Sequence, residues 1–172
     1  MARVIEFQSV YNDADSGEYG SMTEPSPYFH LQTPEESAAR LLKADEVVIP
    51  GRSSVRVIFD YPLENTQVVK FSADTPAGFT RRGLVLAIAK HYQKMYQEEA
   101  ETTTKPVGLI PGMLNRAPTN GKYGIWGHGL GDLELSSITC DSNGLCELNI
   151  DSWSKIILMA QKRNKDKKPL RP

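Results

Sequence analysis

The chain's longest run with helical periodicity is FTRRGLVLAIAKHYQKMYQEEAE, from Phe79 to Glu101. Apolar residues recur there at intervals of three and four, which predicts an amphipathic helix with one face packed on a core. The predicted stripe comprises Leu84, Val85, Ile88, His91, Tyr92, Met95 and Tyr96. Thr80 is the expected N-cap, because its hydroxyl can accept from a first-turn N–H that lacks an intrahelical partner. We expect this helix to cover one face of a sheet.

Strand patterns lie on both sides of this helix. The predicted strands are Ser54 to Tyr61, Gln67 to Ala73, Asp132 to Cys140 and Leu145 to Ile150. A turn at Pro62 to Asn65 joins the first pair, and an Asn143-Gly144 turn joins the second, so each pair predicts a hairpin. The predicted fold class is α+β, with a mixed or antiparallel sheet of two hairpins crossed by one central helix.

Shorter elements flank this unit. The run Thr33-Pro34-Glu35-Glu36 has the pattern of a capping box, which predicts a short helix to about Lys43. Val47 to Ile49 reads as a strand ended by Pro50-Gly51. Asp151 or Ser152 can cap a last helix from Trp153 to about Lys162.

The order hairpin, helix, hairpin over roughly residues 54–151 resembles a β-grasp, the ubiquitin-like arrangement in which one helix crosses a mixed sheet. The resemblance concerns the order of elements, and no family signature lies within it. Because one fold hosts many functions, the resemblance implies a fold and assigns no activity.

The length of 172 residues predicts one domain with tails. We divide the chain into a flexible acidic segment at 1–30, an α+β domain at 31–160 and a basic flexible tail at 161–172. The first 46 residues hold three basic against nine acidic residues, and residues 152–172 hold seven basic and one acidic. Tyr28 to Leu31 is an apolar group inside the soft N-terminal region. It either packs on the domain edge or serves as a short partner-binding motif.

The net charge of −1 gives no global attraction to nucleic acid or membrane. The chain has no secretion-signal pattern and no apolar run of the roughly 20 residues that span a bilayer. Two cysteines and no N-glycosylation acceptor fit a reducing compartment. These features predict a soluble intracellular protein, cytoplasmic or nuclear, with no membrane partner.

The densest motif is the glycine-rich loop from Gly121 to Asp132, where five glycines bracket Tyr123, Trp126 and His128. Glycine permits positive φ and close backbone approach, so this loop can present Trp126 and His128 to a ligand. The alternative is a tightly turned loop that inserts Ile125 and Trp126 into the core. A strand pattern follows, so the loop is no dinucleotide fingerprint, and it contains no Gly-Lys-Ser/Thr of a P-loop.

Candidate catalytic groups are His128 and Asp132, which can be combined with Cys140 into a nucleophile, base and carboxylate set. No local pattern is specific to such a set. His91 lies on the apolar stripe and is predicted to sit at the edge of the core.

The spacing of His and Cys predicts no metal site, and we expect no cofactor. If the turn is Ser142-Asn143-Gly144 with a bulge, Cys140 and Cys146 face each other across the predicted hairpin and can form a disulfide on oxidation. In a reducing cell we expect two free thiols.

Charges at the ends of the central helix oppose its macrodipole. Arg81 and Arg82 stand at the N-terminal end, and Glu98, Glu99 and Glu101 at the C-terminal end. Tertiary ion pairs, for instance of Arg81 or Arg82 with Asp74 or the acidic N-terminal segment, are one explanation. A charged partner is the other.

The C-terminal tail carries a cluster of basic residues, namely Lys162, Arg163, Lys165, Lys167 and Lys168. Such a cluster is typical of a nuclear-import or nucleic-acid-contacting patch. No aromatic residue is interleaved with these charges, which argues against base stacking and sequence-specific recognition.

These patterns together predict a non-enzymatic intracellular interaction module, an adaptor or a subunit of a larger assembly. It would bind another protein through Tyr123, Trp126 and His128 of the glycine-rich loop, or through Arg81 and Arg82. One alternative is a small enzyme or small-ligand binder centred on the same loop, with His128 carrying the proton. A second is a nucleic-acid-associated accessory protein that acts through the tail.

Overall fold

The computed structural model describes residues 2–10 and 25–152. This part of the chain is an α+β fold with a mainly sheet core of eight strands and two α-helices. The strands are β1 (Arg3–Glu6), β2 (Phe29–His30), β3 (Val47–Pro50), β4 (Ser54–Phe59), β5 (Gln67–Ser72), β6 (Gly78–Thr80), β7 (Leu133–Cys140) and β8 (Leu145–Ser152). The helices are α1 (Pro34–Ala39) and α2 (Arg81–Thr102), and a short 3-10 helix, Leu130–Asp132, precedes β7.

The main sheet is mixed and runs in the order β1-β7-β8-β4-β5, with β2 also paired to β7. β4 and β8 are parallel, with Val57 opposite Cys146, and the other pairs of this sheet are antiparallel. β3 and β6 form a separate two-stranded antiparallel sheet.

The N-terminal strands enlarge the sheet beyond the two predicted hairpins. β1 pairs with β7 from Arg3 opposite Cys140 onward, and β2 pairs with the start of β7. Phe29 and Leu31 are fully buried, so the apolar group at 28–31 packs into the domain. Both of these strands lie before residue 31, and both pair with β7.

Helix α2 begins at Arg81 because the Thr80 hydroxyl accepts a hydrogen bond from the Gly83 N–H at 3.0 Å, which confirms the predicted N-cap. The buried residues of this helix are Leu84, Val85, Ile88, Ala89, Tyr92, Met95 and Glu99. The helix packs on the hairpin of β4 and β5, because the rings of Tyr92 and His91 lie 5.1 and 4.7 Å from that of Phe59.

The prediction for the first helix needs correction. The Thr33 hydroxyl makes no capping hydrogen bond, and α1 ends at Ala39 rather than near Lys43. Asp151 and Ser152 are the last residues of β8, where they pair with Glu134 and Leu133 of β7. The predicted helix from Trp153 lies outside the described residues.

The two cysteines form a disulfide, so the expected pair of free thiols is wrong for this structure. Cys140 ends β7 and Cys146 lies near the start of β8, and the register places them directly opposite each other. Because directly opposed residues are close in an antiparallel pair, the hairpin brings the two sulfur atoms within bonding reach.

Candidate binding site at the glycine-rich loop

The buried carboxylate of Glu99 binds main-chain N–H groups of the glycine-rich loop. One carboxylate oxygen, Oε1, accepts from the Gly121 N–H at 2.8 Å, and Oε2 accepts from the Tyr123 and Gly124 N–H groups at 2.7 and 3.2 Å. Charge-assisted hydrogen bonds of this kind are stronger than neutral ones. One side chain at the end of α2 therefore fixes the backbone at three residues of the stretch from Gly121 to Gly124.

Hydrogen bonding also decides the protonation of this carboxylate. Burial raises the pKa of Glu99, but hydrogen bonds from the Thr119 hydroxyl and the three backbone N–H groups lower it by more. The pKa therefore lies below its ordinary value. Glu99 is therefore ionised at neutral pH, which is the form that can accept all three N–H groups.

Two glycines are required where the loop meets its support. A Cβ on Gly121 would lie within 2.8 Å of the Glu99 side chain and main chain. Gly124 has φ +65°, and a Cβ there would lie 2.9 Å from the Cβ of Glu64. The glycines thus permit the close approach of the loop to helix α2 and to the β4–β5 turn.

Glu98, the neighbouring glutamate, binds the outer side of the same loop. Its carboxylate accepts from the Lys122 ammonium at 2.8 Å and from the Tyr123 hydroxyl. These two hydrogen bonds lower the pKa of Glu98 to about 2. Tyr123 itself is buried, so this predicted binding residue supports the loop from within.

A buried cation, Arg116, secures the other half of the loop. Its Nη1 donates to the Ile125 carbonyl at 2.8 Å and to the Thr119 hydroxyl at 3.1 Å, while the guanidinium lies 5.6 Å from the centre of the Tyr96 ring. The main-chain N–H of Arg116 donates to the Gly127 carbonyl. Side-chain and main-chain bonds of one residue thus bracket Trp126.

Trp126 is left partly uncovered on this rigid support. Its side chain is 38% exposed, whereas the preceding Ile125 is fully buried. The Trp126 ring meets the Tyr61 ring edge-on, with the ring centres 5.3 Å apart. The main-chain N–H of Trp126 donates to the Pro62 carbonyl at 3.1 Å. The sequence leaves insertion of the loop into the core and presentation at the surface as alternatives. In the structure Ile125 is inserted into the core and Trp126 is presented at the surface.

An apolar finger lies beside Trp126. We use this name for residues 107–117, a two-armed loop closed by hydrogen bonds from Ala117 to Gly108 and from Ile110 to Asn115. Arg116 bridges to Leu109 on one side and to Gly127 on the other, so the finger and the glycine-rich loop run side by side. The exposed apolar side chains of the finger are Val107, Leu109, Met113 and Leu114, the last of which is 89% exposed.

The predicted catalytic groups serve the conformation of the loop. The Asp132 carboxylate accepts from the Gly129 N–H at 2.9 Å and caps the short 3-10 helix. The His128 carbonyl accepts from the Tyr96 hydroxyl at 2.9 Å, and the His128 ring lies 5.9 Å from that of Tyr61. Cys140 has no free thiol, because it is bonded to Cys146.

Arg81 and Arg82 lie at the opposite end of α2 and form tertiary ion pairs. Arg81 pairs with Glu46 at 2.8 Å, and Arg82 pairs with Asp45 at 3.3 Å. Asp74, the partner named from the sequence, instead accepts from the Thr80 N–H at 2.8 Å. These two arginines are therefore not part of the glycine-rich loop site.

A polar pair in the sheet joins a half-buried histidine to a buried glutamate, and no sequence pattern indicates it. His30 Nδ1 lies 2.9 Å from the carboxylate of the buried Glu134, on directly opposed residues of β2 and β7. That hydrogen bond raises the pKa of His30, and it outweighs the opposing effect of burial.

Within residues 2–10 and 25–152, no group of three or more His, Cys, Asp or Glu side chains is placed to hold a metal ion. No helix of the described chain is long and apolar enough to cross a membrane. The basic residues Lys162, Arg163, Lys165, Lys167 and Lys168 lie outside the described residues, so the function predicted for the tail stays a prediction.

Comparisons with protein-family models, curated proteins and solved structures found no match to this chain.

Proposed function

We propose that this chain is a non-enzymatic interaction module that binds another protein through Trp126 and the apolar finger. The observation that carries the proposal is a partly exposed tryptophan on a loop fixed by two buried charged side chains, Glu99 and Arg116. Tryptophan is enriched among the residues that contribute most to interface energy. Rigidity lowers the entropy lost on binding, so a preorganised anchor binds more tightly than a mobile one.

The apolar finger supports a protein partner rather than a small ligand. Four large apolar side chains of this one loop are exposed to solvent, whereas small-molecule sites are concave and enclose their ligand. Contiguous exposed apolar groups on a monomer typically mark a contact surface. The partner would therefore offer a groove that receives the finger and contacts Trp126 at its base.

The test is quantitative affinity capture from cells with the whole chain as bait. Trp126→Ala and Leu114→Ser should each lose the same set of captured proteins, with affinity reduced about 30-fold, the equivalent of about 2 kcal/mol for a central anchor. Val4→Ser is the matched control, because Val4 is an exposed apolar residue on β1, away from this loop. Circular dichroism should show that all three variants remain folded. An identical set of captured proteins for all three variants and the unmodified chain would refute the proposal.

We also propose that β4, β5, α2, β7 and β8 form a β-grasp-like unit. The parallel pairing of β4 with β8, between their antiparallel partners, supports this arrangement. A cytoplasmic or nuclear location, a small-ligand role for the loop with His128, and a nucleic-acid role for the tail stay predictions from the sequence.

A further inference from the structure

The two edges of the main sheet differ in how their backbone groups are satisfied. At the β1 edge the Glu6 carbonyl accepts from the Arg81 guanidinium. Just after β1, the Gln8 carbonyl accepts from the Leu42 N–H at 2.8 Å, and the Val10 N–H donates to the Arg40 carbonyl. A side chain and the segment after α1 thus occupy this edge. Covering an edge in this way prevents another strand from pairing there.

The opposite edge, β5, carries backbone groups that point outward. Ala73 donates to the Ser53 carbonyl at 2.9 Å, and Arg56 donates away from β5, to the Gly144 carbonyl at 2.8 Å. Because inward and outward groups alternate along a strand, Val68, Lys70 and Ser72 direct their N–H and C=O groups to the free edge. No residue of the described chain forms a hydrogen bond with these groups.

Unpaired positive charge lies on the outer face of this edge. Lys70 stands directly opposite Arg56, and neither forms an ion pair with an acidic side chain among the described residues. Like charges at directly opposed positions destabilise a strand pair. A carboxylate on an added strand next to Lys70 would relieve this repulsion.

The inner face of the same edge is apolar. Val69 and Phe71 are half-buried against the core, and the Phe71 ring lies 5.9 Å from that of His91 on α2. Side chains alternate between faces in an added strand as they do in β5. Residues opposite Val69 and Phe71 would therefore be apolar, and the residue between them would face Lys70.

We propose that β5 is a docking edge for an extended segment of a partner protein in which one acidic residue stands between two apolar residues. The segment adds to the sheet as a further strand, with main-chain hydrogen bonds to Val68, Lys70 and Ser72. This edge is distinct from the Trp126 surface. A second copy of the chain is disfavoured as occupant, because its own β5 brings another Lys70 to the same edge.

The probe is an acetylated and amidated peptide, Ser-Thr-Val-Glu-Ile-Thr-Ser, titrated into the isotope-labelled full chain and followed by NMR. The largest amide shifts should fall on Val68, Lys70 and Ser72. A control peptide with Lys in place of Glu should bind about tenfold more weakly, because its charge repels Lys70 and Arg56.

Two substitutions in the protein separate charge from backbone pairing. Lys70→Glu should exchange the preference between the two peptides. Lys70→Pro should abolish binding of both, because it removes an outward N–H and leaves the hydrogen bonds to β4 intact. Lys105→Glu, at an exposed lysine in a distant loop, controls for net charge. Thermal unfolding should verify that each variant is folded.

The proposal is overturned if the Glu peptide fails to bind at millimolar concentration, or if the shifts map away from β5. Equal affinity for both peptides, or a preference unchanged by Lys70→Glu, would also overturn it. Sedimentation equilibrium distinguishes the other occupant. A dimer that dissociates on Lys70→Pro would show that β5 pairs with a second copy of the chain instead.

Discussion

At the residue scale, the most consequential side chain is Glu99, a fully buried carboxylate whose hydrogen-bond donors are backbone N–H groups and the Thr119 hydroxyl. The sequence carries a signal for it, because Glu99 follows Met95 by four residues and so continues the apolar stripe of α2. Its place in the last turn of α2 also groups it with the end charges Glu98 and Glu101. Its burial could have been predicted from periodicity, but its partners lie 20 or more residues away in the chain and could not be predicted. Arg116 carries no comparable signal, because its loop lacks periodicity.

Replacing this carboxylate tests its support of the loop. Glu99→Gln keeps the shape of the side chain but removes the charge that accepts three N–H groups, so the free energy of unfolding should fall by about 1.5–3 kcal/mol. Amide hydrogen exchange at Gly121, Tyr123 and Gly124 should accelerate. Glu101→Gln is the matched control, since Glu101 is exposed in the same last turn of α2. This substitution should change the free energy of unfolding by less than about 0.5 kcal/mol. Equal effects of the two substitutions would contradict the role of Glu99.

At the scale of the elements, local periodicity predicted α2 and the strands β3, β4, β5, β7 and β8 to within a few residues. It could not predict the sheet positions of β1 and β2. Arg3 pairs with Cys140, and no pattern within four residues specifies a partner so distant in the chain. Pro34, Glu35 and Glu36 predict the short helix α1, although the Thr33 side chain makes no capping hydrogen bond.

The packing of α2 gives the prediction at this scale. Leu84 and Ile88 are fully buried, so Leu84→Ala or Ile88→Ala should lower the free energy of unfolding by about 2–5 kcal/mol in chemical denaturation. Lys90→Ala lies on the exposed side of the same helix and should change it by less than about 0.5 kcal/mol. Losses below about 1 kcal/mol for both core variants would show that this face contributes little to the core.

At the scale of the whole molecule, two histidines couple global stability to pH with opposite signs. The hydrogen bond to Glu134 raises the pKa of His30 above its ordinary 6.5, because it stabilises the protonated ring. Burial lowers the pKa of His91 below the same value, and the nearby Lys94 charge adds to the effect. The folded chain therefore binds more protons than the unfolded chain at His30 and fewer at His91.

Linkage fixes the direction of each effect. The contribution of His30 to the free energy of unfolding is complete below about pH 6.5 and is lost as pH rises through its raised pKa in the folded chain. The contribution of His91 is present above about pH 6.5 and is lost as pH falls through its lowered pKa in the folded chain. Urea denaturation from about pH 5 to pH 9 should therefore show that His30→Gln removes a decline in stability on the alkaline side. Gln can still donate to Glu134, so the hydrogen bond persists while the titration disappears. His91→Gln should remove a decline on the acid side. If His30→Gln leaves the alkaline slope unchanged, the pair between β2 and β7 does not carry a proton in the folded state.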